Sequence, residues 1–396
     1  MLAPAHDVPH VPDAPRAPLF IPSLPTLDPA QLVPSLEPSR PPLFPLDRLQ
    51  APAAQLFYLA RAGVYHTVKH WLAGAPGVVV MPAYHHGVEV EAVRAAGARV
   101  VFYRVDRDLR IDLDDLRTKA LAPDVRAVYV THFAGFAQPI VEARAIARER
   151  GVPLFEDCAL ALFSCTPDGK PLGSFGDASC FCLYKTLPVP HGGLLVAANV
   201  PVAAAAPPPL LSTLHHTAGL ALAHLELRSS SLGRAVRRAA RATARATVDK
   251  AVATVKTGTM HLQAHELALG ASRLVERLLP RFDGEMVVVR RRRNFERLAR
   301  ALDGVLDVVG APLAPGVCPL FLPVRIVDRD KREVVHALHA AGIDAIDFWS
   351  SGECDDEFPE VAALRREILE LPCHQSLDDD AIDLVAHAVK QVVAHA

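Results

Sequence analysis

The chain has 396 residues, against roughly 100–200 per domain, so two packed domains or one large α/β domain is expected. Hydrophobic residues make up 51% and charged residues 22%, which fits a globular protein of enzyme size with a substantial core. A net charge of −2 lacks the electrostatic footprint of a nucleic-acid binder.

The start, Met-Leu-Ala-Pro-Ala-His-Asp, has neither a basic nor an apolar signal region, so it reads as no signal peptide. Thirteen of the 34 prolines fall within residues 1–45, among them Pro22, Pro25, Pro41, Pro42 and Pro45. Proline fixes φ and lacks a donor, so this segment reads as an extended arm. Leu19, Phe20, Ile21 and Phe44 give the arm something to bury, against the body or against a partner subunit.

From about residue 55, strand-length apolar runs alternate with helical stretches. The runs are 78–81, 100–105, 127–131, 153–155, 180–183 and 194–197. The clearest helix is 139–150, with Pro139 at its first position and Gly151 just past its end. Continuous apolar strands between helices predict a mostly parallel sheet covered on both faces. In such sheets ligands bind beyond the carboxyl ends of the strands.

The longest uncharged stretch runs from Thr186 to Leu225, but Pro188, Pro190, Pro201 and Pro207–Pro209 break it, so no membrane span is expected. Residues 201–260 then carry an alanine/arginine helix in which Arg234, Arg237, Arg238, Arg241 and Arg245 form one basic stripe, either a solvated face or an anion-binding surface. A long helix is predicted from about Glu285 to Leu302, then short strands near 320–325, a helix near 332–341 and a terminal helix from Asp379. The expected organisation is an arm (1–45), a large α/β domain (46–270) and a smaller α/β domain (271–396). Seven cysteines, odd in number and without paired metal-type spacing, suit a reducing cytoplasm. The histidine pairs 85–86 and 215–216 suggest no metal site, because neighbouring strand side chains point to opposite faces. Cys180 and Cys182 read as buried structural thiols.

Two strand ends carry chemistry. One run ends in Glu156-Asp157, and another in Lys185, followed by the Gly192-Gly193 pair. Lysine is scarce, 8 against 34 arginines. A lysine leaving a buried strand would be desolvated, which makes an amine nucleophilic toward carbonyls. Singly, such a lysine can simply reach water and such an aspartate can cap a helix. Together they match what pyridoxal phosphate needs: an amine for the Schiff base and an acid against the pyridine nitrogen.

The ordered set Pro82-Ala-Tyr-His-His86, Gly97-Ala98, His132-Phe-Ala-Gly135, Glu156-Asp157, Gly176-Asp177, Lys185 and Gly192-Gly193 resembles the DegT/StrS-type sugar aminotransferases. Arg291-Arg-Arg-Asn294 and Leu371-Pro-Cys-His374 extend that resemblance to the C-terminal part. The resemblance implies the pyridoxal phosphate transferase fold of type I: a large domain with a mostly parallel sheet flanked by helices, plus a smaller C-terminal α/β domain. It further implies Lys185 as Schiff-base lysine and proton carrier, Asp157 on the pyridine nitrogen and His86 against the ring. Cys182 falls where the family has a phosphate-binding serine. Arg61-Ala62-Gly63 would form the phosphate loop, before a helix starting near Val64. The implied substrates are a nucleotide-linked keto sugar and an amino donor such as glutamate, and the implied assembly is a homodimer with shared sites.

Departures from the family pattern are Leu160, in place of a His or Gln, and His191, where an acid often stands. With only two asparagines in the chain, the family's cross-subunit asparagine has no counterpart in residues 201–260. These departures leave open a transaminase acting on a non-sugar carbonyl, or a silent homologue.

Overall fold

The computed structural model describes residues 20–33, 41–201, 205–229, 235–236, 261–353 and 356–395. In chain order the large sheet and its helices are β1 (Ala54–Phe57), α1 (Ala60–Leu72), β2 (Val78–Pro82), α2 (Val88–Ala95), β3 (Arg99–Tyr103), α3 (Leu113–Ala120), β4 (Val125–Thr131), α4 (Ile140–Arg150), β5 (Leu154–Asp157), β6 (Ala178–Cys182), α5 (Leu183–Thr186) and β7 (Gly193–Ala197). There follow α6 (Leu210–Arg228), α7 (Arg273–Leu278), α8 (Gly284–Leu302), β8 (Asp307–Val308), β9 (Leu322–Arg325), α9 (Lys331–Ala340), α10 (Pro359–Glu367), β10 (Ile368–Leu371) and α11 (Asp379–His395).

The seven-stranded sheet has the order β1-β7-β6-β5-β4-β2-β3. Strands β3, β2, β4, β5 and β6 run parallel, and β7 lies antiparallel between β6 and β1. The expected α/β architecture is therefore present, with one reversed strand where the chain folds straight back after Lys185. Strands β2 and β6 are buried at every position, which explains their continuous apolar sequence. The three-stranded sheet β10-β9-β8 is antiparallel and has its own core, which includes Leu322, Val324, Leu338 and Val385.

Local chemistry sets the helix ends. Asp112 caps α3 by accepting the N–H groups of Asp114 and Asp115, and Gly151 closes α4 at φ 73°. Pro139 sits at the N-cap of α4, one residue earlier than the sequence suggests. Along α8 the buried residues Val287, Arg291, Asn294, Phe295, Leu298 and Leu302 follow helical spacing, with arginines at many of the positions between.

The described part of the arm lies on the body of its own chain. The Ile21 N–H donates to Gly342 O at 2.8 Å, Ile21 O accepts from the Asp344 N–H at 2.9 Å, and the Ile21 side chain is buried in the small-sheet core. The Arg234–Arg245 stripe lies outside the described residues, except for the helical pair 235–236.

Candidate active site

The carboxyl ends of β4, β5 and β6 open on one cavity of about 90 Å³, walled also by the N-terminus of α1, the loop before α2 and Trp349. Lys185, Asp157, His86, Arg61 and Cys182 all line it.

Lys185 stands on the single turn α5, which begins at Cys182 as the chain leaves β6. The turn is fixed from behind. Buried Arg291 donates to Thr186 O at 3.2 Å and to Lys185 O at 3.5 Å, and the Gln375 Nε2 donates to Thr186 O at 2.8 Å. The half-buried Lys185 Nζ itself has no hydrogen-bond or ion-pair partner among the described residues.

Asp157 closes β5 beside β6, and the connection between the two strands is a loop with one bridge, Cys165 to Pro171. Asp157 Oδ2 accepts from the Tyr129 hydroxyl at 2.8 Å, and Oδ1 accepts from the Ala159 N–H at 2.9 Å. The aspartate therefore caps the following turn and also faces the cavity. Its neighbour Glu156 points the other way, as strand alternation requires. Glu156 accepts the N–H groups of Gly173, Phe175 and Gly176 and the Nε2 proton of His132, at 3.0 Å. His132 Nδ1 accepts from the Gln138 N–H at 3.1 Å, so His132, Glu156 and nearby Cys158 form a satisfied structural cluster rather than an open ligand set.

The two adjacent histidines divide. His85 stacks on Phe102 with ring centroids 5.0 Å apart, away from the cavity, and burial pushes it down to about 3. His86 enters the cavity. Burial, with the charges of Lys185 and Arg61, pushes it down to about 4, so its ring is neutral near pH 7. Burial raises the Cys182 thiol, leaving an uncharged SH at the end of β6.

The phosphate loop expected at 61–63 is instead the first turn of α1, which begins at Ala60 rather than near Val64. No side chain caps that helix end, and Leu59, Ala60 and Arg61 border the cavity. Ala62 is fully buried. Gly63 faces β7, where a Cβ would come within 3.2 Å of Leu195 Cβ. Neither Ala62 nor Gly63 reaches the cavity wall. Arg61 donates to His261 O at 3.2 Å and pairs with buried Glu266 at 3.4 Å, so its charge is already shared. Gly193 is what lets α1 start so close to the sheet: a Cβ there would lie 2.2 Å from Ala60 N.

Four wall residues carry no flag in the sequence reading. Tyr129 and Thr131 share a face of β4 at strand period two, a signal that could have been read once Asp157 was placed beside them. Glu89 is an acid in the first turn of α2, three residues after His86. Trp349, at φ 42°, comes from a segment distant in sequence, and no local pattern announces it. Leu160 is buried in the wall and offers no polar partner there. His191 stacks on Tyr58 at 4.2 Å, and burial pushes it down to about 3.

Comparison with known proteins gives these residues a setting. The model of the DegT/DnrJ/EryC1/StrS aminotransferase family matches residues 67–390. A dTDP-4-dehydro-2,3,6-trideoxy-D-glucose 4-aminotransferase from Saccharopolyspora spinosa is 27% identical over 350 residues, 84% of this chain and 83% of that protein. A GDP-perosamine synthase from Vibrio cholerae is 31% identical over 122 residues, 30% of this chain and 33% of that protein. Among solved structures, the Helicobacter pylori aminotransferase PseC, involved in the biosynthesis of pseudoaminic acid, superposes with a TM-score of 0.66. That match is 14% identical and covers 95% of this chain and 100% of that one.

Proposed function

The chain belongs to the DegT/DnrJ/EryC1/StrS aminotransferase family, and on that premise we propose that it uses pyridoxal 5'-phosphate to move an amino group from glutamate to a nucleotide-linked keto sugar. The observation that carries the cofactor assignment is an unpartnered lysine amine, Lys185 Nζ, sharing one cavity with the buried carboxylate of Asp157. The sugar assignment follows the named substrate of the relative from S. spinosa.

The residues present fit the cofactor. Asp157, held by the Tyr129 hydroxyl, would face the ring nitrogen. The uncapped start of α1 has amides to offer the phosphate, with Cys182 beside it as a weak donor. The neutral imidazole of His86 would lie against the ring. Thr131 Oγ1, buried in the wall without a partner, is a polar atom that a ligand could satisfy. When bound, pyridoxal phosphate supplies an electron-accepting ring that lets a carbon–hydrogen bond beside an amine ionise. Lys185 then holds or moves the proton, as the one amine in the cavity wall.

Borohydride reduction of the cofactor-loaded protein followed by peptide mapping should find the label on Lys185. Label on another lysine, or none, overturns the assignment. Amino transfer to dTDP- or GDP-linked keto sugars should exceed transfer to free keto sugars; equal rates would remove the nucleotide from the substrate.

A homodimer is part of the same reading and is supported by the frequency of two-fold assembly. Sedimentation at micromolar concentration checks it, and a monomer with full activity rules it out. The proposed location is the cytoplasm, in keeping with six free cysteines among the described residues. No helix among those residues is long and apolar enough to cross a membrane.

A further inference from the structure

Glu89 shares the cavity with Asp157 and Lys185, yet amino transfer as described leaves it without a role. It is 8% exposed, and among the described residues no lysine or arginine pairs with it. Its Oε1 accepts the His86 N–H at 2.8 Å, a bond that caps the loop before α2. A neutral glutamine could make that bond equally well, so capping does not account for a buried acid at this point.

The charged or titratable groups that share the wall with Glu89 are Asp157 from β5, Lys185 from α5, Arg61 from α1, Tyr129 from β4, Cys180 and Cys182 from β6, Tyr184 and His86. Burial, and then the negative charge of Asp157, raise the Glu89 carboxyl to about 7; Lys185 opposes them. Like charges that share a poorly solvated wall each make ionisation of the other harder. Tyr129 already donates to Asp157, and Ala159 caps its other oxygen.

We propose that Glu89 is a positioning residue that acts beside Asp157: a buried acid in the same cavity wall whose ionised form adds negative charge to the site and tightens the hold on a cationic pyridine ring. This inference rests on the pyridoxal phosphate reading of the site. The sign follows from linkage. A bound cation favours the ionised form of Glu89, so affinity rises as pH rises through the glutamate's titration.

Two measurements test it with the full-length protein. The first follows the carboxyl groups of cofactor-free protein by infrared difference spectroscopy, wild type minus Glu89→Gln. A protonated carboxyl that persists near neutral pH, and that ionises at lower pH in Asp157→Asn, supports the pair. A carboxyl that titrates in the ordinary glutamate range, or that ignores Asp157→Asn, overturns it whatever the cofactor does. The second measures binding of pyridoxamine phosphate, which attaches without a covalent bond to Lys185. The ratio of wild-type to Glu89→Gln affinity should rise from about one in mild acid to about tenfold in mild alkali, the effect of roughly one unit of pKa change. Binding with a ratio flat across pH reduces Glu89 to a loop cap and sinks the pair alone. Absence of binding by the wild type overturns the cofactor reading and, with it, the role given to Glu89.

Discussion

Two lysines of this molecule, Lys331 and Lys185, differ in what their amines meet. At the start of α9, Lys331 is 3% exposed and donates to the carbonyls of Phe348, Arg365 and Ile368 at 3.3, 2.6 and 2.9 Å. It also pairs with Asp347 at 2.6 Å. In the cavity, Lys185 is half-buried and its Nζ has no partner among the described residues, although Arg291 and Gln375 hold the carbonyls of its turn. A saturated ammonium is a structural fastener, and its protons are committed. An amine whose hydrogen-bonding positions are open is left able to meet a ligand, which chemistry needs and stability does not. Glu156 and Asp157 differ in direction instead: Glu156 ties down the 173–176 loop, while Asp157, though hydrogen-bonded, faces the cavity.

Substitutions should separate the two classes by what they damage. The largest effect is expected for Lys185→Ala: amino transfer falls by several powers of ten while the unfolding midpoint hardly moves. Near-normal turnover would make Lys185 the structural lysine. Next comes Asp157→Asn, which keeps size but loses charge. It should cost about 3–5 kcal/mol in the chemical step while pyridoxal phosphate still binds. If kcat is unchanged, Asp157 only caps its turn.

Lys331→Met should invert that pattern. It strands three carbonyls and the Asp347 carboxylate, so urea unfolding should show a loss of about 3 kcal/mol, with kcat of the folded fraction unchanged. A fall in kcat without a fall in stability would erase the contrast between the lysines.

The smallest effect is electrostatic. Burial holds His85 and His374 at about 3, well below their ordinary range. Below about pH 6.5 the unfolded chain takes up protons that the native chain refuses, so their contribution is full above that pH and lost as pH falls. Each should cost about 1.4 kcal/mol per pH unit in that window. His85→Phe keeps the stack on Phe102, removes two buried unpartnered nitrogens, and should flatten the acid limb by about one proton. An unchanged slope would mean that His85 takes up its proton without unfolding the chain.

Much of this was legible in the chain itself. Uninterrupted apolar runs specify strands buried on both faces, and Asp112, Gly151 and Asp283 mark helix ends by side-chain or backbone chemistry that acts within a few residues. Lys185 and Asp157 could be singled out because both leave the carboxyl ends of such strands. Their adjacency could then be inferred from a parallel sheet.

Tertiary structure alone decided the rest, because those features depend on approach between distant segments. Where α1 begins is set by Gly193, 133 positions beyond Ala60, whose missing side chain lets the two backbones touch. Arg61 is claimed by Glu266, and Arg291 braces the turn that carries Lys185. Glu89 reads locally as an ordinary first-turn acid. Only the tertiary fold brings it into the wall of the cavity that Asp157 also lines. Periodicity records which face a residue occupies, but the charge it meets there is fixed by packing.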